Sequence, residues 1–467
     1  MNQFLRIVQN RRKFWMLFYL VSVVAVYSQP SVLFTSLNNT TPAPNNLRFS
    51  LSALSPTFNQ VRFQSNQSVN VSTATWAFHI GTPGSPNYNS NWRPYTGGNT
   101  LAVNTYIPVG FANGARFNSN GGGSDGLLPA ITSGNYYTFN VTNNTGDNIM
   151  QLLETNFNPK TFSNVAFTTP ANTNSSARVT LTSSAPLSVG ENVFVRYSFD
   201  NYVTSTLAEV TFIGTSGTAY IPCRGSAGNV SFYVYSSNKT LAQINADVAA
   251  NGQTAHDMAT LNLNNNSGAN YSYTQGTGSA ANFAGDYVIP SSCYPTLASF
   301  ITALNAGTVT GAVNCYINAG YTETAPAGGF TITATGTATN TITFIKNGSG
   351  ANPTFTAPAH TAGSLTDAVI KIIGGDFITI SGLTLQERNF TPVSADTAAA
   401  TNTMTEFGVV LFYAAVTDGC QNVTITNNTI TLNRTYQNTW GIYANSTHNA
   451  TAVTTAASAT GATGGNN

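Results

Sequence analysis

The stretch of sequence that decides the fold is Val369-Ile-Lys-Ile-Ile-Gly-Gly-Asp-Phe-Ile-Thr-Ile-Ser-Gly-Leu-Thr-Leu385. It contains two short runs rich in β-branched residues, in which apolar and polar positions alternate, separated by a corner of small residues. A second stretch has the same layout, Gln421-Asn-Val-Thr-Ile-Thr-Asn-Asn-Thr-Ile-Thr-Leu432. Alternation of this kind predicts strands with one buried face, and similar units in succession predict a stack of coils. We therefore predict that both stretches are coils of a parallel β-solenoid.

The corners of the two stretches differ in length. The first corner has two residues between its apolar positions, and the second, around Asn427 and Asn428, has four. Solenoids tolerate such differences because extra residues go into loops outside the stack. Either Asn427 or Asn428 turns inward and stacks in an amide ladder, or these residues only tolerate the left-handed backbone of a corner.

The composition is poor in charge. Only 7% of the 467 residues are charged, against about 25% in an average soluble protein. The formal net charge is +1, so no electrostatic attraction to nucleic acid or to acidic membranes is expected. Apolar residues make up 42% of the chain, which is enough for a packed core and argues against disorder. The sequence therefore indicates an all-β protein whose surface is solvated by amides and hydroxyl groups, with no nucleic acid among its partners.

The N-terminal residues have the layout of a signal peptide. A basic segment that includes Arg6, Arg11 and Arg12 precedes the apolar run 14–26. This run is shorter than the roughly 20 residues that a membrane-spanning helix needs, and modest side chains follow it, as at a cleavage site. We predict a signal peptide over residues 1–28, an extracellular or cell-surface location, and no membrane span after cleavage. An uncleaved membrane anchor is the alternative.

Strand and turn patterns divide the rest of the chain. Short apolar stretches first alternate with loops rich in Asn, Gly and Pro, and regular alternating runs separated by turns then predict a β-sandwich. A linker rich in polar residues comes before the solenoid, and a tail rich in Thr, Ala and Gly follows it. The predicted segments are a poorly patterned β-rich module over 30–130, a β-sandwich over 131–240, a linker over 241–292, the solenoid over 293–445, and an unstructured tail or truncation over 446–467.

A helix is predicted at the start of the solenoid, over residues 295–306. Leu297, Phe300, Ile301 and Leu304 follow the i, i+3, i+4, i+7 spacing of an amphipathic helix. The end of a solenoid exposes its core and needs an atypical unit to cover it. We therefore expect this helix to cap the N-terminal end of the solenoid.

Part of the predicted sandwich resembles a known class of module. The segments Glu191–Thr206, Tyr220–Pro222 and Val230–Tyr235 resemble immunoglobulin-like modules in secreted, multidomain surface proteins of Bacteroidetes-type bacteria. This resemblance implies a cellular context and carries no implication about activity.

The solenoid resembles right-handed parallel β-helix proteins with the pectin-lyase fold. Its start matches theirs at Gly285–Pro290, Tyr294–Ala298, Leu304–Gly307 and Val313–Glu323. Asp376–Leu383 and Asn422–Ile430 match typical coils, and the resemblance spans about residues 285–445. It implies a short right-handed β-helix with an N-terminal capping helix. Because only three or four coils and neither a C-terminal cap nor a sorting domain are visible, we expect the chain to be truncated at its C-terminus.

The acids of this region do not predict a catalytic site. Enzymes of pectin-lyase fold use clustered acids, in lyases around calcium and in hydrolases as paired carboxylates. No two acids recur at a spacing that repeats between coils, and Gln421 stands where Asp376 has its carboxylate. We therefore predict no catalytic residue, no metal and no cofactor, although three acids converging in one groove would reverse this view. The acids after residue 290 are Glu323, Asp367, Asp376, Glu387, Asp396, Glu406 and Asp418.

Three aromatic residues are candidates for carbohydrate binding. Trp76, Trp92 and Tyr95 carry rings that can stack on sugars, and Asn91 and Arg93 beside them can bond to sugar hydroxyls. Ordinary packing in a sandwich core or a turn is the alternative, which the frequent burial of Trp favours.

The chain has four cysteines, Cys223, Cys293, Cys315 and Cys420. None forms a C-x-x-C pair, which argues against zinc and thioredoxin-like chemistry. Cys293 and Cys315 flank the predicted helix and are the candidate disulfide, which an exported protein permits. The alternative is four buried, inert thiols.

Three functional hypotheses remain open. The leading hypothesis is a secreted or cell-surface structural or adhesion protein that contacts a polysaccharide or a cell-surface glycan, without a catalytic site in this chain. The second is a polysaccharide lyase or glycoside hydrolase of pectin-lyase fold whose catalytic coils are missing. The third is a purely structural stalk.

Overall fold

The computed structural model describes residues 149–388, 401–434 and 439–449 continuously, and shorter stretches before them. Those stretches are 31–36, 47–50, 52–53, 57–64, 76–81, 91–94, 102–106, 117–118, 126–127, 132 and 134–142. The predicted signal peptide over 1–28 lies outside the described residues. Among the described helices, none combines the length and the apolar character needed to cross a bilayer.

The described residues form two compact units. The first takes in the described residues up to 160, together with 188–192 and 236–268. The second takes in 161–187, 193–235 and the described residues from 269 onward.

The first unit contains two antiparallel sheets. In sheet A the strand order is β2-β1-β5-β6-β7, with β8 paired to β5, and in sheet B the order is β10-β9-β4-β3. Phe58, Tyr106, Ala255 and Met258 form a buried cluster in this unit. The strands of these sheets are β1 (Ser31–Ser36), β2 (Leu47–Ser50), β3 (Ser52–Ala53), β4 (Phe58–Gln64), β5 (Trp76–Gly81), β6 (Asn91–Pro94), β7 (Phe117–Asn118), β8 (Gly126–Leu127), β9 (Tyr136–Thr142) and β10 (Met150–Thr155). The unit also contains helices α1 (Leu241–Asn251) and α2 (Thr254–Met258) and strand β18 (Asn262–Asn264).

The second unit begins with a sandwich-like pair of antiparallel sheets. Sheet C has the order β11-β12-β16-β15, and sheet D contains β14-β13-β17-β19 in adjacent positions. Alternate residues of both sheets, such as Val179 of β12 and Val195 of β13, share one buried cluster. These strands are β11 (Phe162–Phe167), β12 (Ala177–Ser183), β13 (Asn192–Ser198), β14 (Thr206–Glu209), β15 (Thr211–Ile213), β16 (Ser216–Ile221), β17 (Gly228–Ser237) and β19 (Tyr271–Gln275).

Three parallel sheets follow, with the register of a β-helix. Sheet E has the order β20-β21-β24-β27-β30, sheet F the order β22-β25-β28-β31, and sheet G the order β23-β26-β29-β32. The chain visits E, F and G in turn, so the described residues contain four successive coils. The predicted fold class is therefore confirmed. The strands are β20 (Asn282–Ile289), β21 (Thr308–Asn318), β22 (Thr322–Thr324), β23 (Phe330–Ile332), β24 (Ile342–Asn347), β25 (Thr354–Thr356), β26 (Ala368–Ile373), β27 (Ile378–Ser381), β28 (Thr384–Gln386), β29 (Phe407–Tyr413), β30 (Thr424–Thr426), β31 (Thr429–Thr431) and β32 (Trp440–Asn449).

The interior of the β-helix is built from columns of apolar side chains. In sheet E, Tyr287, Cys315, Phe344, Ile380 and Ile425 occupy equivalent positions in successive strands. Neighbouring strands lie about 4.8 Å apart, so each side chain packs directly on the one in the next coil. The alternation seen in the sequence thus reflects an inside and an outside on every strand.

The predicted capping helix is present as α3 (Leu297–Ala306). Its apolar residues Leu297, Phe300, Ile301 and Leu304 are buried in the core cluster of the β-helix. Thr296 forms a capping box with Ser299 at its N-terminus, which satisfies donors that a helix start leaves unpaired.

The corner around Asn427 resolves the two alternatives for its asparagines. Asn427 adopts a φ of 55°, the left-handed conformation that Asn tolerates better than most residues. Asn428 instead reaches back to the preceding coil. Its Oδ1 accepts from the backbone N–H of Leu383 at 2.9 Å, and its Nδ2 donates to the carbonyl oxygen of Ile380 at 2.9 Å. One residue therefore makes the turn and its neighbour ties two coils together.

The disulfide differs from the predicted pair. Cys293 is bonded to Cys223, whereas Cys315 and Cys420 are buried thiols that take part in no disulfide. Cys315 belongs to an inward column of sheet E, so its side chain is part of the core of the β-helix. The observed bond joins the segment that follows β16 of the sandwich to the segment that follows β20, within one compact unit.

Several segment boundaries also differ from the prediction. Strand β9 pairs with β4 in sheet B, so it belongs to the first unit and not to the sandwich. The segment 241–292, interpreted as a linker, contains α1, α2 and three strands, because β19 completes sheet D and β20 starts sheet E. At the other end, β32 extends to Asn449, beyond the predicted start of the tail at residue 446.

Candidate functional site

The structure places Asp376 and Gln421 at equivalent corners of successive coils. Thr379 pairs with Thr424 in sheet E. Asp376 and Gln421 each lie three residues before these threonines, so they also occupy corresponding positions. Asp376 Oδ1 accepts from the backbone N–H of Gln421 at 2.7 Å, and the backbone N–H of Phe377 donates to the carbonyl oxygen of Gln421 at 2.9 Å. Asp376 thus uses its carboxylate to hold the next coil.

A second pair of equivalent positions does carry two acids. Ala368 pairs with Phe407 in sheet G, so Asp367 and Glu406, each immediately before its strand, also correspond. The backbone N–H of Phe407 donates to the carbonyl oxygen of Asp367 at 3.0 Å. The expectation that no two acids recur between coils is therefore wrong. A comparison of the residues that precede each apolar run would have found this pair, but the loops of unequal length hide the spacing.

These two acids belong to a buried polar cluster made by two long loops. Residues 357–367 connect β25 to β26, and residues 387–406 connect β28 to β29. The loops contribute His360 and Asp367 from the second coil, and Glu387, Asn402, Thr405 and Glu406 from the third. Lys371 of β26 is buried with them. We call these seven residues the loop cluster.

Glu387 and Thr405 form the centre of the loop cluster. Thr405 donates to Glu387 from its hydroxyl at 3.1 Å and from its backbone N–H at 2.9 Å. The backbone N–H of Arg388 donates to Glu387 Oε1 at 3.0 Å. His360 Nε2 lies 3.2 Å from Thr405 Oγ1. Because the single hydroxyl proton of Thr405 is directed to Glu387, the ring nitrogen is the donor in this contact.

Asp367 connects the histidine to the start of sheet G. Its Oδ1 lies 3.4 Å from His360 Nδ1 and accepts from Ser364 Oγ at 3.0 Å. Lys371 is 9% exposed, and burial lowers the pKa of its ammonium group, whereas Asp367 and Glu406 act in the opposite direction. A chain of contacts therefore runs from Asp367 through His360 and Thr405 to Glu387.

Glu406 is the most perturbed acid of the loop cluster. Its Oε1 accepts from Asn402 Nδ2, and only 1% of its surface is exposed. The pKa of Glu406 is raised from 4.5 to about 8, chiefly by burial and then by the nearby charges of Asp367 and Glu387. A carboxyl group in this state is protonated at neutral pH.

Three acids thus converge, but they do so beneath the surface. Asp367, Glu387 and Glu406 are 5%, 1% and 1% exposed. General acid–base chemistry on a polymer needs the acid within hydrogen-bond reach of the substrate. In this conformation the loop cluster offers no such access. Among the described residues, no set of three His, Cys, Asp or Glu side chains has an arrangement suited to a metal ion.

The outer surfaces of sheets E and F have a different character. Three outward columns run through the second, third and fourth coils, with one residue per coil. Eight of these nine residues are threonine and the ninth is Gln386, so the columns carry no charge. We call this surface the hydroxyl face. Its columns are Thr343, Thr379 and Thr424, then Thr354, Thr384 and Thr429, then Thr356, Gln386 and Thr431.

The hydroxyl face is accessible and regular. Every residue in its columns is at least partly exposed, and Thr424, Thr429 and Thr431 are exposed. Gln386 Nε2 donates to Thr356 Oγ1 at 3.1 Å, so the amide extends the hydroxyl pattern across two coils. Successive members of a column are about 4.8 Å apart, the distance between neighbouring strands.

Two of the three candidate carbohydrate-binding residues predicted from the sequence, Trp76 and Trp92, lie in strands of the first unit. Trp76 begins β5, and Trp92 in β6 pairs with Ile80, four positions along β5 from Trp76. Tyr95 lies outside the described residues, and the structure describes only the backbone of the two tryptophans. Their proposed role stays a prediction.

A cavity of ≈ 440 Å³ lies beside the capping helix α3. Its walls combine one face of the helix with the first strand of sheet G, and its lining has no titratable side chain. The lining residues are Ala298, Ile301, Thr302, Asn305, Ala306, Pro326, Gly329, Phe330 and Thr331. Apart from Thr302, Asn305 and Thr331, they offer a ligand few side-chain hydrogen-bonding groups.

Comparisons with protein-family models, with curated proteins and with solved structures found no match to this chain.

Proposed function

We propose that this chain is a secreted or cell-surface protein that contacts uncharged glycans through the hydroxyl face. The proposal is supported by the regular columns on sheets E and F, which offer a hydroxyl group at eight of their nine positions and the amide of Gln386 at the ninth. Hydroxyl groups both donate and accept hydrogen bonds. A repeating polymer of sugars presents the same two capacities at regular intervals, and can form equivalent contacts with successive coils.

The lack of charge in the columns favours a neutral ligand. An acidic polysaccharide would be expected to meet Lys or Arg side chains, since these are the groups that pair with carboxylates and sulfates. The nine column residues include neither. The proposal extends to Trp76, Trp92 and Tyr95, whose rings offer a separate aromatic contact for a sugar.

Binding to neutral polysaccharides tests the proposal. The mature chain should be retained by insoluble or arrayed neutral glycans, and Thr384→Lys should weaken retention because it places a charged side chain in the central column. Thr211→Lys is the matched control, since Thr211 is an exposed threonine in strand β15 of the sandwich. Retention that is equal in the two variants would remove the hydroxyl face from the proposal. If the chain binds no glycan at all, the hypothesis of a purely structural stalk is the one that remains.

The second candidate function is cleavage of a polysaccharide. It is favoured by one observation, the convergence of Asp367, Glu387 and Glu406. Paired carboxylates are what glycoside hydrolysis uses, whereas the burial of all three argues against it. The test is incubation with a panel of polysaccharides, followed by measurement of new reducing ends and unsaturated products. Their appearance would show that the chain cleaves a polysaccharide. Activity that disappears in Glu387→Gln would establish the enzyme and overturn the preference for binding alone.

A further inference from the structure

We propose that Tyr220 and Tyr316 are a site of oxidative crosslinking, at which a carbon–carbon bond between the two rings forms a dityrosine. The bond joins strand β16 of the sandwich to strand β21 of the first coil, and holds them together when the disulfide is reduced. Both strands belong to the second compact unit. The proposal is independent of glycan binding.

The rings of Tyr220 and Tyr316 are stacked on each other. Their centroids lie 3.8 Å apart and their planes are inclined by 25°, a separation at which ring carbons are in van der Waals contact. Both side chains are half-buried, so part of each ring stays within reach of an oxidant in solvent. By comparison, the ring centroids of Tyr202 and Tyr233 in the sandwich lie 5.6 Å apart.

The hydroxyl groups of the stacked pair lie at the same end of the stack. Burial raises the pKa of both phenols, and a hydrogen-bonding interaction between the two hydroxyl groups then shifts each pKa. It raises the pKa of Tyr220 and lowers that of Tyr316, as expected when Tyr220 donates to Tyr316. In stacked rings with neighbouring hydroxyl groups, the ring carbons next to the oxygens also lie close together. Phenoxyl radicals couple at these carbons.

Two further contacts hold the strands of the two tyrosines in place. Cys223, which follows Tyr220 closely in the chain, is bonded to Cys293. Ser176, immediately before β12, donates from its backbone N–H to the carbonyl oxygen of Asp286 in β20 at 2.7 Å. Strand β12 pairs with β16, and β20 pairs with β21. Because the strands are tied on both sides, the rings need little motion to react, which favours coupling within the chain.

The crosslink requires the removal of two hydrogen atoms from the pair. Each phenol loses one electron and its hydroxyl proton, which gives two phenoxyl radicals. The radicals join through a bond between ring carbons, and the hydrogens on those carbons move to the oxygens and restore both phenols. The oxidant that we propose is hydrogen peroxide acting through a haem peroxidase. The peroxide takes up the two electrons and two protons and is reduced to two molecules of water.

Oxidation of the mature chain by hydrogen peroxide and a haem peroxidase tests the site. In dilute solution, mass spectrometry should find a monomer that is lighter by two hydrogen atoms, and peptide mapping should find Tyr220 linked to Tyr316. Tyr220→Phe and Tyr316→Phe each keep a ring but remove a hydroxyl group, and both should lose the linked peptide and the fluorescence of dityrosine. Tyr202→Phe is the matched control, since Tyr202 also belongs to a tyrosine pair, and it should be crosslinked like the unmodified chain.

The outcomes separate this site from general oxidation of tyrosines. A product that joins other tyrosines, or one that forms equally in both Phe variants of the pair, would overturn the proposal. The absence of any crosslinked monomer would do the same. Because the two Phe variants are independent, one of them serves if the other fails to fold, as circular dichroism would show.

Urea unfolding of the oxidised chain tests whether the new bond holds the strands together. With the disulfide reduced, the oxidised chain should unfold at a higher urea concentration than the unoxidised chain, because the bond closes a long loop in the unfolded state. Tyr316→Phe, treated with the same oxidant, should show no such shift. Equal midpoints for the oxidised and unoxidised chains would contradict the stabilising role.

Discussion

Glu323 Oε2 accepts a hydrogen bond of 2.7 Å from the backbone N–H of Leu297, the first residue of the capping helix. Its other oxygen accepts from Ala298 at 3.1 Å. A carboxylate from the first coil thus accepts hydrogen bonds from two N–H groups that have no partner within the helix. The helix dipole also favours negative charge at this end. Among the acids considered for catalysis, this one attaches the cap to the stack.

Replacing Glu323 should loosen the cap. Glu323→Gln keeps the shape of the side chain but loses the charge and one acceptor, and we expect it to lower the free energy of unfolding by about 1–2 kcal/mol. Urea unfolding followed by circular dichroism measures the change. Glu209→Gln, which removes a carboxylate from β14 of the sandwich, provides the comparison. A loss no greater than in that variant would contradict a capping role.

The two neighbouring asparagines of the last corner should respond to substitution in opposite ways. Asn428→Ala removes two hydrogen bonds to the preceding coil, and should cost about 1–3 kcal/mol. Asn427→Gly places in the left-handed region the residue that best adopts it, and should be tolerated. Thermal unfolding of both variants is the measurement. Equal losses would show that the two residues do not have the separate roles that the hydrogen bonds indicate.

Thiol labelling should distinguish the observed disulfide from other pairings. Cys315 and Cys420 are buried thiols outside the disulfide. Burial raises the pKa of both, for Cys420 to about 11, so the native chain should take up no label. Denaturation without reduction should expose those two, and reduction should expose all four cysteines of the chain. Peptide mapping should find Cys223 linked to Cys293. A peptide that links Cys293 to Cys315 would contradict the structure.

Global stability should decline as the pH rises through the acidic and neutral range. The pKa of Glu406 is about 8 in the folded chain, above its usual 4.5, so the folded state holds the proton more tightly than the unfolded state. The stabilisation is complete below pH 4.5, decreases between about 4.5 and 8, and is absent above that, with each pH unit corresponding to about 1.4 kcal/mol at most. Urea unfolding at several pH values measures the slope. Glu406→Gln should flatten this part of the curve, and an unchanged slope in that variant would exclude Glu406 as its source.

The sequence predicted the coils because their signal is local. Alternation in 369–385 and 421–432 reports directly on which side chains face inward, and the helical spacing in 297–304 reports on one buried face. Both signals arise from residues that are close in the chain. They were sufficient for the fold class and for the cap.

The remaining features depend on contacts between distant residues. Strand β19 joins β17 across more than thirty residues, so composition alone placed it in a linker. Cys223 and Cys293 are 70 residues apart, and nothing local distinguishes them from Cys315. The loop cluster has no local sequence signal, because His360 and Lys371 meet their partners only when the coils stack.

The coils differ in length chiefly between sheets F and G. The connection there covers 357–367 in the second coil and 387–406 in the third, whereas β27 and β28 are separated by residues 382–383 only. Because the inward columns do not depend on these connections, loops of different length or chemistry can be exchanged at this one side while the core remains the same. The β-helix therefore offers a scaffold for protein engineering, in which a new peptide inserted between β28 and β29 would vary the surface without requiring a new core.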